Sequence, residues 1–224
     1  MTSRPDSLAE RLHAALPQTQ CTRCGYPDCR AYAQAMAAGK AAINQCPPGG
    51  AEGIRRLAQI TRQAEQGLNP ANGSEAPRGV AIIDEAWCIG CTLCLPVCPT
   101  DAIVGGHKRM HTVMQAHCTG CELCIPACPV DCIRMEAVTE DTGWAAWSAQ
   151  QAGQAMQRYE AHKTRLIKAE ERQAQRLQAK AIAKLADLPA HTRLQDPAEI
   201  DKKRAVIEAA LARARARRAT AGED

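Results

Sequence analysis

The sequence predicts an α+β protein in three successive parts: a small, mainly helical segment with four cysteines, a loop-rich segment built on an internal repeat, and a long α-helical C-terminal tail. Three observations carry this expectation. All thirteen cysteines lie between Cys21 and Cys132. Residues 88–103 and 118–133 match at 10 of 16 positions, with an offset of 30. From Gln154 to Leu188 there are 35 residues without Gly or Pro, dominated by the helix formers Ala, Gln, Lys, Arg and Glu. Aromatic content is 3% with no Phe, so the side chains that usually dominate a core are scarce. The cysteines are the obvious candidates for holding the first two parts together.

In chain order, residues 7–16 read as a short helix, with Leu8, Leu12, Ala15 and Leu16 on one side and Pro17 ending it. Cys21 to Cys46 follow, with helical composition from Arg30 to Ala42. Pro47-Pro48-Gly49-Gly50 is a turn, and residues 51–66 read as helix again. These elements make a first domain over 1–66. Gly, Pro, Asn and Ser punctuate 67–79, which reads as a linker. Residues 80–138 hold the repeat, each unit placing a short apolar strand before its cysteines and an Ile after them. Residues 139–224 form the tail. Asp196-Pro197-Ala198-Glu199 is an N-terminal capping signal. The tail is therefore expected as two helices joined around Pro189–Gln195, the second reaching about Ala219.

The chain opens Met1-Thr2-Ser3-Arg4-Pro5-Asp6, without an apolar leader, and no run approaches the length of a membrane span. A soluble, cytoplasmic protein is expected, or one peripheral on the cytoplasmic face of the inner membrane. In that compartment clustered cysteines read as metal ligands rather than disulfides. Charge is uneven: residues 1–149 carry 12 basic and 14 acidic side chains, and residues 150–224 carry 16 and 10.

Cys88, Cys91, Cys94 and Cys98, followed by Pro99, have the spacing Cys-x2-Cys-x2-Cys-x3-Cys-Pro, and so do Cys118, Cys121, Cys124 and Cys128 before Pro129. In proteins with two clusters of this pattern the fourth cysteine ligates the other cluster. The spacing thus assigns Cys88, Cys91, Cys94 and Cys128 to one [4Fe–4S] cluster (B), and Cys118, Cys121, Cys124 and Cys98 to another (C). Zinc is the competing reading for any Cys-x2-Cys pair, but it requires neither the third cysteine nor the following Pro. Cys132 stands at the repeat position of Ala102 and reads as a small buried residue beside a cluster. Cys21, Cys24, Cys29 and Cys46 can close a third cluster (A) around a helical insert, although their spacing alone leaves zinc open. A [4Fe–4S]²⁺ core with four thiolates carries about −2, so three would make the front of the chain strongly acidic.

Residues 80–136 resemble the bacterial two-[4Fe–4S] ferredoxins; Asp101-Ala102-Ile103 and Asp131-Cys132-Ile133 match the segments beside their clusters. The flanks of the first four cysteines extend the likeness. Leu16-Pro17-Gln18-Thr19-Gln20-Cys21, Cys24-Gly25-Tyr26-Pro27-Asp28-Cys29 and Asn44-Gln45-Cys46-Pro47-Pro48-Gly49-Gly50 resemble the B subunit of the Rnf/Rsx electron transport complex. Together the resemblance runs from residue 8 to about 136. It implies a small ferredoxin fold, three [4Fe–4S] clusters, outer-sphere electron transfer at low potential, and a place in a membrane complex that moves electrons between ferredoxin and NAD. Flavin and nicotinamide chemistry belong to its other components. Family members usually begin with a hydrophobic anchor, which is not read here.

The expected partners are a redox-protein donor and acceptor and the other components of such a complex. No phosphate loop, nucleotide fingerprint or Ser/His/Asp set is read, so no substrate chemistry is expected of the chain alone. Two alternatives remain: a stand-alone soluble ferredoxin for another reductase, and a zinc- or cluster-containing regulator that binds nucleic acid. Arg213, Arg215, Arg217 and Arg218 are basic enough for the latter, but no aromatics are interleaved for base stacking. The basic tail reads as a solvated helical face, or as a surface docking on an acidic partner or anionic lipid. Trp144 and Trp147 are expected to pack the tail onto the ferredoxin-like segment, and His107, His111 and His117 to be satisfied or exposed.

Overall fold

The computed structural model describes residues 7–221. The opening residues 1–6 lie outside the described residues, as do 222–224 and the side chains of 217–221, Arg217 and Arg218 among them. The chain divides into two compact units, Met1–Lys163 and Thr164–Asp224.

The first unit begins with three helices. Ser7 caps α1 (Leu8–Ala14) by accepting from the Glu10 amide, while the Glu10 side chain returns to the Ser7 backbone. Asp28 caps α2 (Cys29–Ala37) by accepting from the Ala31 amide at 2.7 Å. The third, α3 (Gly50–Thr61), follows the Pro-Pro-Gly turn. Leu12, Leu16, Tyr32, Ile43 and Leu57 are almost fully buried and pack this layer together with Cys24, Cys29 and Cys46. The Tyr32 hydroxyl donates to the Ala42 carbonyl at 2.7 Å and accepts from the Gln45 amide, fixing the loop that carries Cys46.

The repeat segment is held by two small antiparallel sheets. Strand β1 (Pro77–Ile83) pairs with β4 (Ile133–Thr142), in register Ile83 to Ile133 and Ala81 to Met135. Strand β2 (Ile103–Val104) pairs with β3 (Thr112–Val113). A short helix, α4 (Cys94–Val97), lies between β1 and β2. The offset of 30 carries β1 onto β3 and β2 onto β4, so the pairings obey the pseudo-symmetry seen in the sequence. The first strand starts inside the expected 67–79 linker, which also holds a turn of 3₁₀ helix at Pro70–Asn72.

The tail expected from residue 139 separates from the rest only after Lys163. Strand β4 runs on to Thr142, and the first turns of α5 (Ala149–Ala186) bury Ala152, Ala155 and His162. Trp144 packs on the first segment. Its indole N–H donates to the Ala15 carbonyl at 2.8 Å, its ring lies 3.2 Å from where a side chain on Gly53 would begin, and Arg56 stacks 4.2 Å above it. Trp147 stacks with Arg78 beside β1. In the second unit, α6 (Pro197–Ala221) starts at the Asp196 cap, and Arg204 donates to the Leu185 carbonyl.

Candidate metal centres

Three cavities in the first unit are walled by cysteines, four in two of them and five in the other. Cavity A has Cys21, Cys24, Cys29 and Cys46 in its wall, with Leu16, Thr19 and Tyr32. Cavity B has Cys88, Cys91, Cys94 and Cys128, with Ile83 and Ile133. Cavity C has Cys98, Cys118, Cys121 and Cys124, with Ala81 and Ile103. Cys98 and Cys128 are thus each exchanged between the two repeats.

Local backbone chemistry produces these walls. Thr92 and Glu122 adopt φ of 67° and 65°, and Asp101 and Asp131 adopt 51° and 50°, the same left-handed residues in both repeats. Such residues curl the chain around a point, at a cost of order 1–3 kcal/mol each. Gly90 and Gly120 carry the same curl at φ +65° and +67°; a Cβ would meet the Arg109 amide at 2.5 Å in one and the Gly79 carbonyl at 2.5 Å in the other. Around cavity A, the side-chain oxygen of Gln20 accepts from the Cys29 amide at 2.9 Å, and the Gln20 side-chain N–H donates to Gln18 at 3.0 Å. Those two buried glutamines hold the Cys21 loop between α1 and α2.

Backbone amides point at the sulfurs. Ala81 N–H reaches Cys118 Sγ at 3.4 Å, Ala102 N–H reaches Cys98 Sγ at 3.2 Å, and His111 N–H reaches Cys88 Sγ at 3.4 Å. Hydrogen bonds of this kind set the reduction potential of a cluster. None of the thirteen cysteines forms a disulfide. Burial, followed by the fields of neighbouring thiolates, raises Cys29 and Cys46 well above the usual thiol value. Burial first, then Cys98 and its neighbours, pushes Cys121 up to about 12; burial with the fields of Cys118 and Cys98 does the same to Cys124. Four crowded thiolates in a dry cavity repel one another, and a cationic core relieves that repulsion. The donor set therefore fits an iron–sulfur cluster, which is bound by deprotonated cysteines.

Of two further neighbours of cavity B, Cys132 was read from the sequence as a small buried residue beside a cluster, and His111 was not legible. Cys132 Sγ lies 3.4 Å from Cys128 Sγ and lines the cavity as a fifth sulfur. His111, expected to be satisfied or exposed, is buried with Nε2 unpartnered and Nδ1 3.4 Å from Cys94 Sγ. His107 is exposed and His117 half-buried. Trp144 and Trp147 line none of the three cavities.

Residues 81–135 match the family model described as 4Fe-4S dicluster domain, and residues 16–48 match one described as putative Fe-S cluster. The B subunit of the ion-translocating oxidoreductase complex of Azoarcus sp. is 59% identical over 142 residues, which are 63% of this chain and 78% of that protein. The chain belongs to the family of ion-translocating oxidoreductase complex B subunits. The Pseudomonas aeruginosa (strain LESB58) member is 55% identical over 63% of this chain and 74% of its own length. That of Thiobacillus denitrificans is 55% identical over 48% of this chain and 57% of its own. No solved structure matches. As a member of this family with a [4Fe–4S] dicluster domain, the chain is an iron–sulfur electron-transfer protein. No helix among the described residues is long and apolar enough to cross a membrane.

Proposed function

We propose that the chain is a three-site electron relay working as the B subunit of an ion-translocating oxidoreductase complex. Cys21, Cys24, Cys29 and Cys46 hold one [4Fe–4S] cluster, Cys88, Cys91, Cys94 and Cys128 a second, and Cys98, Cys118, Cys121 and Cys124 a third. The relay takes electrons from one redox protein and passes them to another within the complex. The parts that serve it are the four-cysteine segment expected over 1–66, the repeat segment expected over 80–138 and framed by strands from Pro77 to Thr142, and the tail, expected from 139 and separate only after Lys163. The observation that carries this reading is that each cavity gathers four cysteines of the ligand spacing, with Cys98 and Cys128 exchanged between repeats.

Bound clusters supply reversible one-electron storage. The chain's residues do the rest. Leu16, Ile83, Ile103 and Ile133 exclude water from the cavity walls. The amides of Ala81, Ala102 and His111 stabilise negative charge on the sulfurs. Outer-sphere transfer asks for little motion, and the two sheets and α1–α3 supply a rigid frame.

Anaerobically loaded chain is expected to hold about twelve iron and twelve sulfide, four of each per cubane. Replacing Cys98 by Ser is expected to damage the cluster beside Cys118, Cys121 and Cys124, and to leave the one beside Cys88, Cys91 and Cys94. Saturation near eight iron with zinc bound by the first segment, or loss of the near cluster's paramagnetic signal in Cys98→Ser, refutes the reading.

A further inference from the structure

We propose that the three sites work in series in the order A, C, B, with C as the obligatory middle and B as the outer end. The inference rests on the three-cluster reading and adds its sequence of transfer.

The first observation is a seam between the loops that build A and C. Thr119 Oγ1 donates to the Thr19 carbonyl at 2.9 Å, and Arg23 pairs with Glu122 at 2.6 Å. Thr19 belongs to the wall of cavity A, and Thr119 and Glu122 belong to the wall of cavity C. Arg23 lies between Cys21 and Cys24, and Glu122 between Cys121 and Cys124. The bonds therefore join one cysteine loop directly to the other.

The second observation is how C and B are joined. Cys98 leaves the B loop to line cavity C, Cys128 makes the reverse crossing, and Thr100 donates to the His117 carbonyl at 2.8 Å. Site C thus shares a cysteine loop with B and a hydrogen-bonded seam with A.

The third observation comes from the pseudo-symmetry. The offset of 30 equates Thr119 with Ile89, His117 with Trp87 and Leu123 with Leu93. Thr119 is 4% exposed beneath the first segment, whereas Ile89 is 59%, Leu93 53% and Trp87 70% exposed. The two repeats offer equivalent rims. At the C rim Thr119 is buried against the first segment and His117 and Leu123 are half-buried, whereas all three B-rim counterparts are apolar and exposed. The first segment docks on the C rim, which leaves the B rim facing outward.

Each transfer moves one electron. The donating site is oxidised, the accepting site is reduced by the same electron, and no bond is made and no proton moves. The electron enters from and leaves to external redox proteins at the two ends of the series.

Magnetic coupling between reduced sites falls off steeply with distance and tests the order without any partner. Three full-length variants, each lacking one site, serve: Cys24→Ser with Cys46→Ser, Cys91→Ser with Cys94→Ser, and Cys121→Ser with Cys124→Ser. After reduction with dithionite, the form holding A and C is expected to show strong mutual broadening in its paramagnetic spectrum. The form holding A and B is expected to show two nearly independent signals. Coupling between A and B that equals or exceeds that between A and C overturns the order. Independently, in the form holding A and C, Arg23→Glu is expected to weaken the coupling, and Arg23→Glu with Glu122→Arg to restore it. An Arg23→Glu spectrum identical to its parent overturns the seam. Iron counting on the same samples separates the two readings. A parent near about twelve iron and variants near eight retain the three clusters whatever the coupling shows, whereas a parent near eight removes the three-cluster reading and the series with it.

Discussion

Cys132 and His111 stand within reach of the cavity B sulfurs without belonging to the ligand spacing. Cys132 occupies the position of Ala102 in the other repeat, and Ala102 is buried beside cavity C without a sulfur. Cys132→Ala is therefore expected to leave iron content unchanged; loss of about four iron would make it a ligand in place of Cys128. His111 places Nδ1 3.4 Å from Cys94 Sγ. An N–H there stabilises the more negative, reduced form. His111→Phe keeps the ring and removes the donor, and a redox titration is expected to show one potential lowered on the order of 40 mV, about 1 kcal/mol for a one-electron couple. An unshifted potential would leave His111 a packing residue. The cysteine pattern was legible because ligand spacing is local. His111 was not, because its place depends on the 105–111 loop folding back until the ring lies where a side chain on Gly105 would stand.

At the scale of elements, α1 and the turn at Gly143–Ala146 show what period and spacing disclose and what they hide. The apolar stripe of Leu8, Leu12 and Leu16 and the stop at Pro17 are one-helix properties, and α1 follows them. Trp144 docks on that helix across 129 positions of chain, a pairing no local pattern announces. Its indole is 3% exposed, donates to Ala15, and carries Arg56 on its face. Truncating a buried Trp costs about 3–5 kcal/mol, part of it for the cavity left behind. Trp144→Ala is expected to lower the denaturation midpoint of the loaded protein while leaving the cluster count of freshly prepared material unchanged. An unchanged midpoint would mean that Glu75, which accepts from Ala51 and from the Thr142 hydroxyl, holds β4 to α3 without it.

For the whole molecule, the placement of the boundary at Lys163 changes what the tail is. Its composition reads as continuous helix from Gln154, and nothing local distinguishes the turns that pack from those that do not. Yet Tyr159 donates to Asp28 at 3.0 Å, Glu160 pairs with Arg30 at 3.2 Å, and His162 lies 2.8 Å from Asp101. These contacts tie α5 to both cysteine-bearing segments. Truncation after Lys163 is expected to keep all iron and the thermal stability of the first unit. Truncation after Ala149 is expected to keep iron at first but to lose it faster on warming, read as bleaching of visible absorbance. Equal bleaching rates would make the contacts dispensable. Residues 164–224 hold 14 basic and 9 acidic side chains. Loss of the part beyond Lys163 is expected to slow partner encounter at low salt, an effect screened over about 8 Å at physiological ionic strength.

The exchange of Cys98 and Cys128 between cavities also has a consequence in time. A chain emerges from the ribosome N-terminus first, and domains fold as their residues become available. Cavity A has its last cysteine once Cys46 is made, long before the repeat exists. Cavity B gathers Cys88, Cys91 and Cys94 early, yet lacks its fourth cysteine until Cys128, the last of the twelve with ligand spacing to be synthesised. Cavity C closes with Cys124, one turn of chain earlier. The crossing therefore makes the two repeat cavities reach completion almost together, so a nascent chain passes from one finished cavity to three with scarcely any interval holding two.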